Sequence, residues 1–208
     1  MAILTHRFRS SSGATDARGQ GGSTARWILG RPLIGILCLL ACSSATSAQS
    51  GTPGEYQLKA AFLFNFAKFV DWPASSFASP RSDFSICILG VDPFGRAMED
   101  LLQDKTIGDR HVSVERLRQV AEARRCQMVF VSASEKSRVR EILDGMKGSN
   151  ALVVGETDGF ASAGGAIQFA IEDNRVRFLV NTDAADRAGL KVSSKLLSLA
   201  RVVHDGNQ

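Results

Sequence analysis

Nineteen residues, Glu55 to Pro73, read EYQLKAAFLFNFAKFVDWP and carry six of the chain's fifteen aromatic residues. Placed on a helix, Leu58, Ala61, Phe62, Phe66, Phe69 and Val70 fall three and four positions apart and form one broad apolar face. The spacing predicts a helix from 55 to about 71, closed by the extended residue that Pro73 demands. Lys59, Asn65 and Lys68 point away from the apolar face, and Phe64 does not belong to it either. An aromatic on the polar side of a helix either packs under a second element or awaits a partner.

The rest of the chain alternates. Three short apolar runs, 84–90, 126–132 and 151–155, have the continuous character of strands buried on both faces. The first is followed by a helix opened at Pro93 and running to about Gln103, and the second by a charged helix capped at Ser134 and closing near Gly148. His111 to Arg116 alternates as a half-buried strand does, and a single helical turn fits Ala121 to Ala123. Beyond the glycine-rich turn 159–165, residues 166–171 and 175–180 read as a β-hairpin around Glu172-Asp173-Asn174. A short helix is expected over 183–189 and a last one over 193–203, with Leu196, Leu197, Leu199 and Ala200 turned inward. The pattern specifies one α/β sandwich, a mixed but mostly parallel central sheet flanked by helices, with a C-terminal hairpin and helices.

Residues 1–48 differ in kind. They hold five arginines against Asp16, then the apolar run Leu33 to Ala41, then small residues. Those are the marks of an export signal, and the apolar run is too short to span a bilayer. The expected organisation is a leader over 1–48, cut after Ala48, and an exported domain over 49–208 with its core at about 55–203. An alternative is lipidation of Cys42, after Leu39-Leu40-Ala41. The leader carries all the net charge, +4, leaving 20 basic and 20 acidic residues in the remainder. The basic pI therefore belongs to the leader and gives no reason to expect nucleic acid as a partner.

Chemistry is sparse. Asp92 follows the first strand, but Val129 to Ser132 offers no carboxylate, so a phosphoacceptor site lacks its nucleophile. There is no G-x-G-x-x-G after a strand and no G-x-x-x-x-G-K motif. His6, His111 and His204 lie in the leader, on an alternating strand and in the tail, which gives no metal set and no triad. The chain reads as a binding protein without catalytic residues, metal or cofactor. Cys87 and Cys126 lie in apolar strands and either pair or stay buried as thiols.

KAAFLFNFAKFVDWP, FSICILGVDPFG, AIQFAIEDNRVRFLVN and GLKVSSKLLSLARVV resemble the YfiR family, over about Glu55 to Val203. The resemblance implies a periplasmic repressor that contacts the periplasmic sensor region of a membrane-bound diguanylate cyclase. It also implies an outer-membrane lipoprotein able to draw the repressor away. It favours a Cys87–Cys126 bridge, while the family's second cysteine pair nearer the carboxyl end is missing. Lys59, Asn65 and Lys68 match polar positions of the family pattern. The expected contact surface is exposed apolar area around Phe64 and near Leu196, and homodimerisation is a further expectation. The alternatives are a small-molecule sensor or carrier, with a closed pocket lined by phenylalanines and Asn181, and a structural envelope protein tethered through Cys42.

Overall fold

The computed structural model describes residues 53–205. The expected leader, its cleavage point and Cys42 lie outside the described residues.

Helix α1 (Pro53–Phe69) is followed by strands β1 (Val70–Asp71), β2 (Phe84–Leu89), β3 (Thr106–Ile107), β4 (Arg110–Leu117), β5 (Met128–Val131) and β6 (Leu152–Gly155). Helices α2 (Ala97–Leu102), α3 (Val120–Ala123) and α4 (Val139–Met146) connect them. Then come β7 (Ile167–Glu172), β8 (Arg175–Asn181), α5 (Thr182–Arg187), β9 (Lys191–Val192), α6 (Ser194–Leu197) and β10 (Arg201–Val203). Eight strands form one sheet in the order β10-β8-β7-β6-β5-β2-β4-β3. Neighbours from β4 to β7 run parallel, while β8 is antiparallel to β7 and β3 to β4. The chain steps from β2 to β4, then crosses back past β2 to β5, so the direction of winding reverses between β2 and β5.

The sheet separates two cores. On one face Leu63 and Phe66 of α1, Met98 of α2 and Leu196 of α6 pack against Phe84, Phe130 and Phe169. On the other, Ile142, Leu143 and Met146 of α4 cover Cys87, Val129 and Val153. Covering both faces is what the continuous apolar runs of β2, β5 and β6 require, since nearly every residue in them is buried.

Several boundaries differ from the sequence expectation, each for a local reason. Helix α1 ends at Phe69, because Val70 and Asp71 leave it to pair with Val192 and Lys191. Helix α2 begins at Ala97 and not at Pro93: Phe94 N–H donates to Asp92 Oδ1 at 2.7 Å, and Gly95 takes φ +54°, so 92–95 is an Asx turn. The segment after β5 starts as a 3-10 helix, Ala133–Arg138, capped by Ser132; Ser134 Oγ instead accepts Val91 N–H. The hairpin loop has two residues, Asp173 and Asn174, both at positive φ, which leaves Glu172 paired with Arg175. The largest correction is at the end: the last helix stops at Leu197, and Arg201–Val203 form β10, parallel to β8 at the sheet's edge. Leu196 faces inward, but Leu199 is 68% exposed.

Candidate functional site

Helix α1 is apolar on nearly every side, and the structure assigns each side a different task. Its sheet-facing rings, Phe62 and Phe66, interlock with Phe169 and Phe178 at centroid separations of 5.0 to 6.2 Å. Phe64, off that face, is half-buried, and Lys68 Nζ lies 5.6 Å from its ring centre. Asn65 and Lys68 are exposed, and Leu58 is 45% exposed on the same helix. These side chains form a surface of apolar and polar groups along the outside of α1.

Lys59 does not join them. The sequence placed it on the polar side, but it is 3% exposed and its ammonium bonds Glu156 at 2.8 Å and Glu55 at 2.6 Å. Glu156, directly after β6, also accepts the Ala133 N–H at 3.0 Å with its other oxygen. The Tyr56 ring lies 4.7 Å from the ammonium and edge-on to Phe94. Burial, and then the nearby Glu156 and Glu55 carboxylates, push the Tyr56 hydroxyl far above its ordinary range. Lys59 bridges Glu55 and Glu156, and the cluster fastens the first turns of α1 over the carboxyl ends of β2, β5 and β6. In doubly wound sheets that edge, at the winding reversal, is where ligands ordinarily sit; here α1 covers it.

Leu196 is turned inward, as its helical spacing indicates, and so cannot itself supply the contact surface expected near it. It is 3% exposed beneath the Ser193 cap, and the apolar groups facing out near it are Leu199 and Val202. Lys195 covers the neighbouring Phe69, 5.1 Å from its ring centre.

Cys87 and Cys126 are bonded to each other, with Cα atoms 6.1 Å apart and a separation of 39 positions in sequence. Both are buried in the core on the face away from α1. Asn181, expected to line a pocket, is fully buried and structural: its amide donates to Ala161 O and Asp205 Oδ1, and its oxygen accepts Ala184 N–H. A cleft among the described residues, lined by Arg140, Leu143, Val153 and Ala184 among others, has neither phenylalanine nor Asn181 in its walls. Glu156 was missed by sequence reasoning; its signal was a lone acid at the end of an all-buried strand, opposite a lysine on an apolar helix.

Residues 56–201 match the family described as YfiR/HmsC-like. The chain belongs to that family. YfiR-like proteins are periplasmic and regulatory rather than catalytic. No curated protein matches at a significant level. Among solved structures, a conserved domain protein of Vibrio cholerae aligns with a TM-score of 0.50 at 9% identity, over 71% of this chain and 59% of that one. The ABC domain of a Streptococcus pneumonia protein, in complex with L-Trp, gives 0.48 at 10% identity, over 72% and 60%. This YfiR/HmsC-like chain thus spans about three-fifths of the length of these structures, and the first likeness is one of fold alone. No helix among the described residues is long and apolar enough to cross a membrane.

Proposed function

We propose that the protein is an exported regulator that represses a membrane-bound diguanylate cyclase by binding its periplasmic sensor region. Family membership supports this reading, and the observation that carries it is the outer face of α1: Leu58, Phe64, Asn65 and Lys68 lie on a helix whose other sides are already packed. A repressor of this kind works by differential affinity, because a ligand shifts an equilibrium only by binding one state better. A tenfold preference for the quiet sensor conformation takes about 1.4 kcal/mol, within reach of one or two interfacial side chains. Leu199 and Val202 extend the candidate contact surface at the C-terminal edge, in the place the sequence assigned to Leu196. The proposal includes residues 1–48 as a leader, release of the mature chain into the periplasm, and an outer-membrane lipoprotein competing for the same regulator.

The test is recovery of the cyclase from solubilised membranes by the tagged protein. Wild type retains a cyclase with a periplasmic domain; Phe64→Asp and Lys68→Glu lose it while still unfolding cooperatively, Phe64→Asp melting only a few degrees lower. Retention by both variants would remove the α1 face from the interface, and recovery of no cyclase by folded wild type would remove the repressor reading. Mass spectrometry of the mature amino terminus separates a start at Gln49 from a lipidated Cys42.

A further inference from the structure

At the amino ends of β6 and β7, lined by residues of α4 and α5, the surface opens into a half-open cleft of about 840 Å³. It exists because small residues from three places meet there: Gly148 and Ser149 before β6, Ala163 and Gly164 of the turn before β7, and Ala184 and Ala188 at α5. Elsewhere phenylalanines fill such gaps; here Leu143, Met146 and Val153 form an aliphatic floor, with no aromatic ring among the described lining residues.

The far wall is preformed. The Phe160 ring lies flat against Gly155 and Gly165, where an added Cβ would stand within 2.6 Å of its carbons, which pins the turn carrying Ala163 and Gly164. The next residue, Ala161, is held at both backbone groups by buried amides: its N–H donates to Gln168 Oε1 and its carbonyl accepts from Asn181. Asn181 continues to Asp205, and Asp205 pairs with Arg187 on the rim. A wall ordered before anything binds loses little freedom on binding, the usual condition of a ligand site.

The charge on the rim is asymmetric. Arg187 is matched by Asp205 and Lys147 by Asp144, while Arg140 has no acidic partner among the described residues. We infer that this cleft binds a small organic acid with a short aliphatic body, the body on the floor and the anionic group at Arg140 and the adjoining rim cations. Carboxylate and phosphate share that chemistry, since a guanidinium presents parallel N–H donors to either. The inference does not rest on the repressor reading, because the cleft and the outer face of α1 share no residue.

The test is calorimetric titration of the full chain with hexanoate, hexyl phosphate, hexylamine and 1-hexanol at millimolar concentration, with amide chemical shifts to locate the site. Binding of either acid, with shifts confined to 140–153, 162–166, 184–188 and 205, is expected, and the stronger of the two identifies the head group. Arg140→Gln weakens it about tenfold through loss of one charge-assisted contact. Ala163→Leu, an exposed position that would fill the cleft, abolishes it without lowering the melting temperature; Ala188→Leu does the same from the opposite wall. Absence of binding by both acids, equal binding of hexylamine, shifts elsewhere, or unchanged affinity in Arg140→Gln would each overturn the assignment.

Discussion

At the level of single residues, the chain's least tolerant charge is Lys59. A buried ammonium between two carboxylates is stable only as a set, because removing one member leaves the others charged and dry. Lys59→Met is therefore expected to destabilise the fold by about 3–5 kcal/mol. Urea denaturation measures this, and Lys59→Met combined with Glu156→Gln should recover part of the loss, since the pair then vanishes together. Recovery of nothing would mean that Glu156 is not stranded by loss of the ammonium. Acid sensitivity has a separate residue-level source. The Asp205 carboxyl sits below the ordinary aspartate range, held there first by Arg187 and then by Asn181. A depressed carboxyl contributes stability above its unfolded pKa of about 4 and loses it as pH falls through the lower folded value. Asp205→Asn should flatten the stability profile below about pH 4 and leave its shape near neutrality unchanged, as melts across that range would show.

At the level of elements, α1 shows what a sequence pattern reveals and what it hides. Its existence and the inward Phe66 were legible from spacing, but the fully buried side is Ala60, Leu63, Phe66 and Ala67, with Leu58 of the expected face 45% exposed; β2, β5 and β6 were legible because continuous apolar runs bounded by turn residues have few other uses. The inward turn of Lys59 was not legible, since its partner Glu156 lies 97 positions away and nothing local marks the pairing. The terminal strand was hidden for the opposite reason: Leu196, Leu197 and Ala200 have helical spacing, whereas Arg201–Val203 gains its partner, β8, only through tertiary contact. The odd position of Phe64 was legible and survives as a half-buried ring. These placements separate two substitutions on one helix. Phe66→Ala opens a cavity among Phe62, Phe169 and Phe178 and should cost about 3–5 kcal/mol. Phe64→Ala, half in solvent, should cost no more than about 1–2 kcal/mol and show its main effect in partner binding. Paired denaturation curves give the first comparison and cyclase retention the second; equal stability losses would place Phe64 in the core and take it off the contact surface.

At the level of the whole molecule, the two cores are held differently. The α1 side has interlocked rings and a buried ion cluster, whereas the α3–α4 side has aliphatic packing and the Cys87–Cys126 bond. The bond closes a loop that contains α2, β3, β4 and α3, so it ties the parallel strands β2 and β5 together across the winding reversal. Closing a loop of 39 residues restricts the unfolded chain by about 4 kcal/mol on the chain-entropy account. For a domain of this size that corresponds to roughly 8–16 °C in melting temperature. The replacement Cys87→Ala with Cys126→Ala should lower the melting temperature by that amount while retaining the native far-UV spectrum, because both positions already sit in apolar surroundings that accept a methyl group. Reductant should act on the wild type only as fast as the fold opens, since both sulfurs are buried. A melting temperature unmoved by the double replacement would show that the unfolded chain is already compact in this loop. The hold on β2 and β5 would then come from packing alone.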